Sequence, residues 1–224
     1  MSSYAEVVAL VEGPTERNFI KQVLAPYMGT KGIFLRPAVL EKPGQKGGDV
    51  KFARAKNDIL KHMKQRSDTW VTLMVDYYGI DSDWPGYKDS KGDDSHIRKA
   101  ELMNAAMDEA ISEILKAEGL QSRFISYVSM HEIEALFFSE PETLARELGV
   151  NERRINQVLD ECGEPEKIND NPKTAPSKRL KSISSRFKKN TTGIAIARKI
   201  GIERMREVCP IFDGWLKQLE DLAK

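Results

Sequence analysis

The apolar positions of the chain fall into short continuous runs separated by stretches of helical periodicity. Residues 7–11 (VVALV), 33–39 (IFLRPAV), 70–75 (WVTLMV) and 124–128 (FISYV) are near-unbroken apolar runs bounded by polar or turn residues. Such runs predict strands, and apolarity on both faces predicts a buried parallel sheet. Pro37 cannot donate to a ladder, so the second strand is expected to be broken or at an edge. Between the strands, Phe19, Ile20, Val23 and Leu24 recur at helical spacing, with Thr15 as the predicted N-cap. Phe52, Ala53, Ile59, Leu60 and Met63 form a second stripe, capped by Asp49 and basic on its outer faces. A long helix over 97–118 carries Leu102, Met103, Ala106, Ala110, Ile111, Ile114 and Leu115 and stops at Gly119. Ser139, Pro141 and Glu142 make a capping-box pattern for a helix that ends at Gly149.

From residue 151 the texture changes to short helices and polar loops, with a linker signal at 169–176 (NDNPKTAP). Basic helices are predicted over 177–187 and 193–200. The terminal helix, 211–222, carries Phe212, Trp215, Leu216, Leu219 and Leu222, which suit either a cap on the core or a homodimer face. The order β-α-β-α-β-α-β-α predicts an α/β fold, a three-layer Rossmann-like, mostly parallel sheet over residues 1–140. Residues 141–224 are expected to be a helical C-terminal extension completing or covering that core.

With 224 residues and 40% apolar content, the chain can bury a core as one large domain. No apolar run approaches the about 20 residues that cross a bilayer, and no secretory pattern opens the chain, so no membrane and a cytoplasmic location are expected. Cys162 and Cys209 are too few and too far apart for a zinc knuckle or disulfide framework. The net charge of +1 conceals an asymmetry. Residues 173–206 carry eleven Lys/Arg and one acid, Glu203, leaving an acidic remainder. That segment is either a solvated helical surface or a site for an anionic partner such as DNA or RNA.

The chemistry concentrates at strand ends. Glu12, Asp76 and Glu134 each lie just past a predicted buried strand, where open α/β sheets place ligands. If these strands are neighbours, the three carboxylates converge, and hard oxygen donors suit Mg²⁺ or Mn²⁺. His131 either joins them or caps a helix, and Glu16 and Glu132 are further acids near the same edge. Glu12 or Glu16 is the expected general base. Residues 77–94 form a long loop with Asp81, Asp83 and aromatic faces at Tyr77, Tyr78, Trp84 and Tyr87 on which unpaired bases stack. Tyr77 equally suits core packing, whereas Trp84, between Asp83 and Pro85, is expected to be exposed. Residues 42–48 form a basic glycine-containing loop, but its Lys46-Gly47-Gly48 is too short for a phosphate-binding loop, and GxxxxGK[ST] is absent.

Val11-Glu12-Gly13 and Val75-Asp76-Tyr77-Tyr78 resemble the Toprim fold of topoisomerases, primases and the overcoming-lysogenization-defect nucleases. Toprim domains open with a strand ending in Glu-Gly, and a later strand ends in Asp-x-Asp. Here the second aspartate is absent in register, and Asp81 or Asp83 would take its place. Over nearly the whole chain, VEGPTE, MVDYYGIDSDWPGY, HEIEALFFSEPE and APSKRL resemble a family of Toprim-like bacterial proteins, domain-of-unknown-function family 4276. The resemblance implies a metal-dependent nuclease, often encoded beside an ABC/AAA-type ATPase in phage-defence operons. It also implies that Lys178 assists the metal site, with Arg179, Lys181, Arg186, Lys188 and Lys189 holding the nucleic-acid backbone. The alternative is a non-catalytic Toprim-like subunit that binds nucleic acid or the ATPase and senses rather than cuts.

Overall fold

Strands β1 (Ala5–Val11), β2 (Ile33–Val39), β3 (Thr69–Asp76) and β4 (Phe124–Ser129) pair in parallel, in the order β2-β1-β3-β4. The structure is a computed structural model and describes residues 4–40, 51–168 and 174–224. The predicted loop 42–48, the Asp49 cap and residues 169–173 of the predicted linker lie outside the described residues. Pro37 pairs in register with Ala9 on β2, an edge strand, where its missing N–H leaves the ladder intact.

Successive residues of a strand point to opposite faces, and β1 uses both. Val7, Ala9 and Val11 enter one apolar cluster, while Val8 and Leu10 enter the other. Helices α3 (Phe52–Gln65), the short α4 (Tyr87–Ser90) and α5 (His96–Ala117) cover the second face, where Ala55, Ile59, Met63, Met103, Met107 and Ile111 pack with Val71, Leu73 and Val75. The other face takes α1 (Pro14–Phe19), a wide turn over Ile20–Leu24 and α2 (Ala25–Gly29). It is completed by the C-terminal helices α6 (Pro141–Leu148), α7 (Arg153–Cys162), α8 (Pro176–Ile183), α9 (Ile194–Ile200), α10 (Ile202–Val208) and α11 (Pro210–Asp221). The fold is therefore α/β, a three-layer Rossmann-like sandwich, and the C-terminal stretch contributes one of its layers. Phe212, Trp215, Leu216 and Leu219 of α11 are all buried in that layer. Among the described residues no helix is long and apolar enough to cross a membrane.

Three local expectations are corrected. Gly13, in extended conformation, is the N-cap of α1, and Thr15 is a buried residue of its first turn. The reason is Pro14, whose fixed φ suits the first helical position and starts the helix a residue before Thr15. Ser139 does not cap α6; its hydroxyl donates to the Leu136 carbonyl at 2.7 Å, and Glu140 occupies the cap position. Trp84 is buried, 3% exposed, with its ring edge-on to Phe52 at 5.5 Å. The indole's large apolar area outweighs its polar neighbours in sequence. Tyr77 is core, stacked on Tyr87 at 5.5 Å, so Tyr78, at 48% exposure, is the loop aromatic that faces solvent.

Candidate functional site

The chain leaves β1 for β2 on one side, while β3 lies on the other side of β1. Open parallel sheets have their crevice at such a reversal, outside the carboxyl ends of the two strands. Asp76 is the last residue of β3, and Glu12 follows β1 directly. The two are joined: Glu12 Oε1 accepts a hydrogen bond from the Asp76 backbone N–H at 2.7 Å. Asp76 Oδ1 in turn accepts from the Tyr78 N–H at 3.0 Å, which tightens the chain into a 3₁₀ turn over Tyr77–Gly79. Gly79 lies against the Glu12 carboxylate so closely that a Cβ there would stand 3.0 Å from Oε2. A side chain at 79 would press on the acid, which explains a glycine in the turn.

Around this pair is a cavity of about 290 Å³ lined by the carboxylates of Glu12, Glu16, Asp76 and Glu132, with Thr15, Ser129 and His131. Lys189 brings an ammonium to the same wall. Its Nζ lies 2.6 Å from Glu132 Oε1 and 3.4 Å from Glu134 Oε1. Glu132 Oε2 accepts from the Ser177 N–H at 2.9 Å, tying the start of α8 to the cavity.

The charges are unequally compensated. Burial pushes Asp76 up to about 7, against the Tyr78 N–H, and the neighbouring Glu12, Glu132 and Glu16 push the same way. Burial likewise pushes Glu134 up to about 7 despite Lys189. Burial opposes ionisation of Glu132 too, yet Lys189 and Ser177 hold it below its ordinary value. Lys189 is desolvated, but Glu134 and Glu132 keep its proton bound more tightly than usual. His131, buried and near His96, is pushed down to about 4 against the Glu166 backbone, so it is neutral near pH 7. Its ring stacks on Tyr78 at 5.8 Å.

The remaining candidates are dispersed. Glu134 is fully buried in a 3₁₀ run (Ile133–Ser139), behind Lys189 and off the cavity wall. Asp81 binds Lys51 and accepts from the Asp83 N–H at 3.2 Å, and neither aspartate lines the cavity. Lys178 is exposed on α8, outside the cavity. Arg179 pairs with Glu161 at 2.8 Å, Arg186 lies over Gly149, and Lys181 and Lys188 are exposed. Lys189, expected to hold nucleic-acid backbone, faces the acids instead. Its sequence context, at 57 residues from Glu132, gives no signal of that pairing.

Among the described residues no group of three or more His, Cys, Asp or Glu is placed to hold a metal ion. The donor chemistry nevertheless fits a hard divalent cation. Mg²⁺ is usually held by one or two carboxylates, keeping several waters, and Glu12 and Asp76 are two adjacent carboxylates in an acid-rich cavity.

Neither the curated proteins nor the solved structures contain a match to the chain. The family model described as Domain of unknown function (DUF4276) matches residues 11–220, from the end of β1 through α11. The match takes in Glu12, Asp76, Glu132 and Lys189 together, and the chain is a member of that family.

Proposed function

We propose that the protein is a Toprim-type nuclease that hydrolyses phosphodiester bonds of DNA or RNA with Mg²⁺ or Mn²⁺ held by Glu12 and Asp76. The observation that carries this reading is the joining of these two acids at the sheet's reversal point, in a cavity where carboxylates outnumber cations. When bound, such a cation polarises a phosphoryl oxygen and lowers the pKa of its water. Glu12 and Asp76 would hold it at the carboxyl ends of β1 and β3. Glu16, on the same wall, accepts the proton of the attacking water as general base. Lys189 stands where an ammonium would offset negative charge developing on the phosphate. Thr15, on the same wall, offers a hydroxyl to orient it.

The test is cleavage of plasmid DNA, single-stranded DNA and total tRNA by wild type and Glu12→Ala, in Mg²⁺, Mn²⁺ or EDTA. Cleavage that needs metal and disappears in Glu12→Ala is the expected result. The assay is repeated with an ABC/AAA-type ATPase, the class of partner that the family resemblance implies. A second reading, a non-catalytic subunit that senses nucleic acid, draws on Tyr78 standing where Toprim domains carry a second aspartate. Binding without cleavage, with and without the ATPase, favours that reading.

A further inference from the structure

A second cavity, of about 640 Å³, lies on the other side of α1 from the acidic one, against the edge strand β2. Its polar lining is Arg17, Asn18, Lys21, Gln22 and Arg36, with no acid among its lining residues. Arg17, Lys21 and Arg36 are exposed, and among the described residues none is in an ion pair. Several cations elsewhere on the surface are paired: Arg66 with Glu6 and Asp68, Lys199 with Glu147, Arg204 with Glu140 and Glu207. Arg198 of α9 bonds the Gln22 carbonyl at 3.3 Å and its side-chain oxygen at 3.0 Å, adding positive charge at the rim. The Arg36 charge also acts on His62, which burial first and Arg36 next push below its ordinary pKa.

We infer that this groove is the track along which the phosphate backbone of a nucleic acid reaches the acidic cavity. The inference rests on the nuclease reading for its destination, but binding in the groove is independent of cutting. Three observations choose nucleic acid as the occupant. The groove's charge is positive and, among the described residues, in no ion pair, as polyanion binding favours. It runs along the same helix as the acidic wall: from Thr15 to Lys21 the helical rise is about 9 Å, which two to three phosphates of a duplex strand span at about 3.4 Å each. Finally, Pro37 removes a backbone donor from the outer edge of β2, which argues against a partner strand adding to the sheet there.

The track differs from the one expected in the C-terminal segment. There Arg179 and Lys189 are engaged by acids of the chain itself, leaving Lys178, Lys181, Arg186 and Lys188 exposed.

The experiment is fluorescence anisotropy of labelled oligothymidylate, a matching RNA and a duplex, titrated in EDTA between about 50 and 200 mM KCl. Compared are wild type, R17E/K21E/R36E, the neutral R17Q/K21Q/R36Q and, from the C-terminal segment, K181E/K188E. Circular dichroism melts verify that each is folded, and the neutral triple serves if charge reversal perturbs folding. The groove variants are expected to bind at least about tenfold more weakly at low salt. Their log–log salt slope should be shallower by about 2 on single strands and about 3 on duplex, as losing three phosphate contacts requires. A wild-type slope in the groove variants overturns the proposal, as does no binding by wild type or a larger loss in K181E/K188E. Retained nucleic-acid affinity with lost association to the ATPase also overturns it and makes the groove a protein docking face. If the groove controls binding but wild type never cuts, the nuclease reading fails and the track stands. If wild type cuts and the groove variants bind normally, the reverse holds.

Discussion

Asp76 sits where its charge is costly. Its carboxyl ionises only near pH 7 in the folded chain, against an ordinary value of 3.8, because it is desolvated and faced by Glu12, Glu132 and Glu16. A raised acid stabilises the fold fully below its unfolded pKa, and that contribution is lost as pH rises through the folded value. Between about pH 4 and 7, wild type should therefore lose stability that Asp76→Asn keeps. Thermal melts at pH 5 and pH 8 check this: the variant should gain on wild type by about 1–3 kcal/mol at the higher pH. Parallel pH profiles would mean that Asp76 is solvated and unopposed. In the sequence, Asp76 and Glu12 were visible as acids at the ends of buried strands. Glu134 had the same appearance, yet the 3₁₀ run turns it into the core and gives the cavity wall to Glu132, two residues away. A strand end fixes where the backbone is, but the following turn decides which side chain faces the cavity.

Helix α11 shows what a distant element contributes. Its Pro210 occupies the first helical position and the cap residue Cys209 offers no side-chain bond. Glu166 caps it from afar, accepting from the Ile211 N–H at 3.0 Å and the Phe212 N–H at 2.9 Å. Trp215 then stacks flat on Tyr127 of β4 at 4.4 Å and donates its indole N–H to Thr72 Oγ1 of β3 at 2.9 Å. The Thr72 hydroxyl in turn donates a hydrogen bond to the Ile125 carbonyl at 2.8 Å. Trp215→Ala should cost about 3–5 kcal/mol through the cavity it leaves. For a chain of this size that lowers Tm by roughly 10 °C, measured by circular dichroism. Trp215→Phe should lose mainly the hydrogen bond, about 1 kcal/mol. A wild-type melt for Trp215→Ala would make α11 peripheral. The sequence showed the amphipathic stripe of α11 but left a dimer face and a core cap both open. The stripe is the same whichever surface covers it.

Across the whole molecule, the cation-rich segment 173–206 is less basic in space than in sequence. Lys189 meets Glu132, Arg179 meets Glu161, Lys199 meets Glu147, and Arg206 meets Asp213 and Glu220. The acidic cavity keeps its excess. A cation that binds the folded chain at Glu12 and Asp76 stabilises it by mass action, about 2.7 kcal/mol at a hundredfold excess over Kd. Mn²⁺ or Mg²⁺ should therefore raise the wild-type Tm by about 5–10 °C, and should not raise that of E12A/D76N. Differential scanning fluorimetry reads this without any nucleic acid. Equal shifts in both proteins would place the bound metal elsewhere.

The sequence by itself determined the four strands, the α/β class, the limit that Pro37 sets on its strand, broken or at an edge, and the presence of acids at two strand ends. Each of these is local, written in apolar period, turn chemistry or the lack of a backbone donor. Only the tertiary structure decided that β1 and β3 are neighbours, so that Glu12 and Asp76 meet. It also turned Lys189 toward the acids, buried Trp84, and left Arg17, Lys21 and Arg36 along one groove in no ion pair among the described residues. Those outcomes depend on which surfaces cover one another. Contacts between residues distant in the chain follow from packing and charge pairing, and neither leaves a mark in the local pattern.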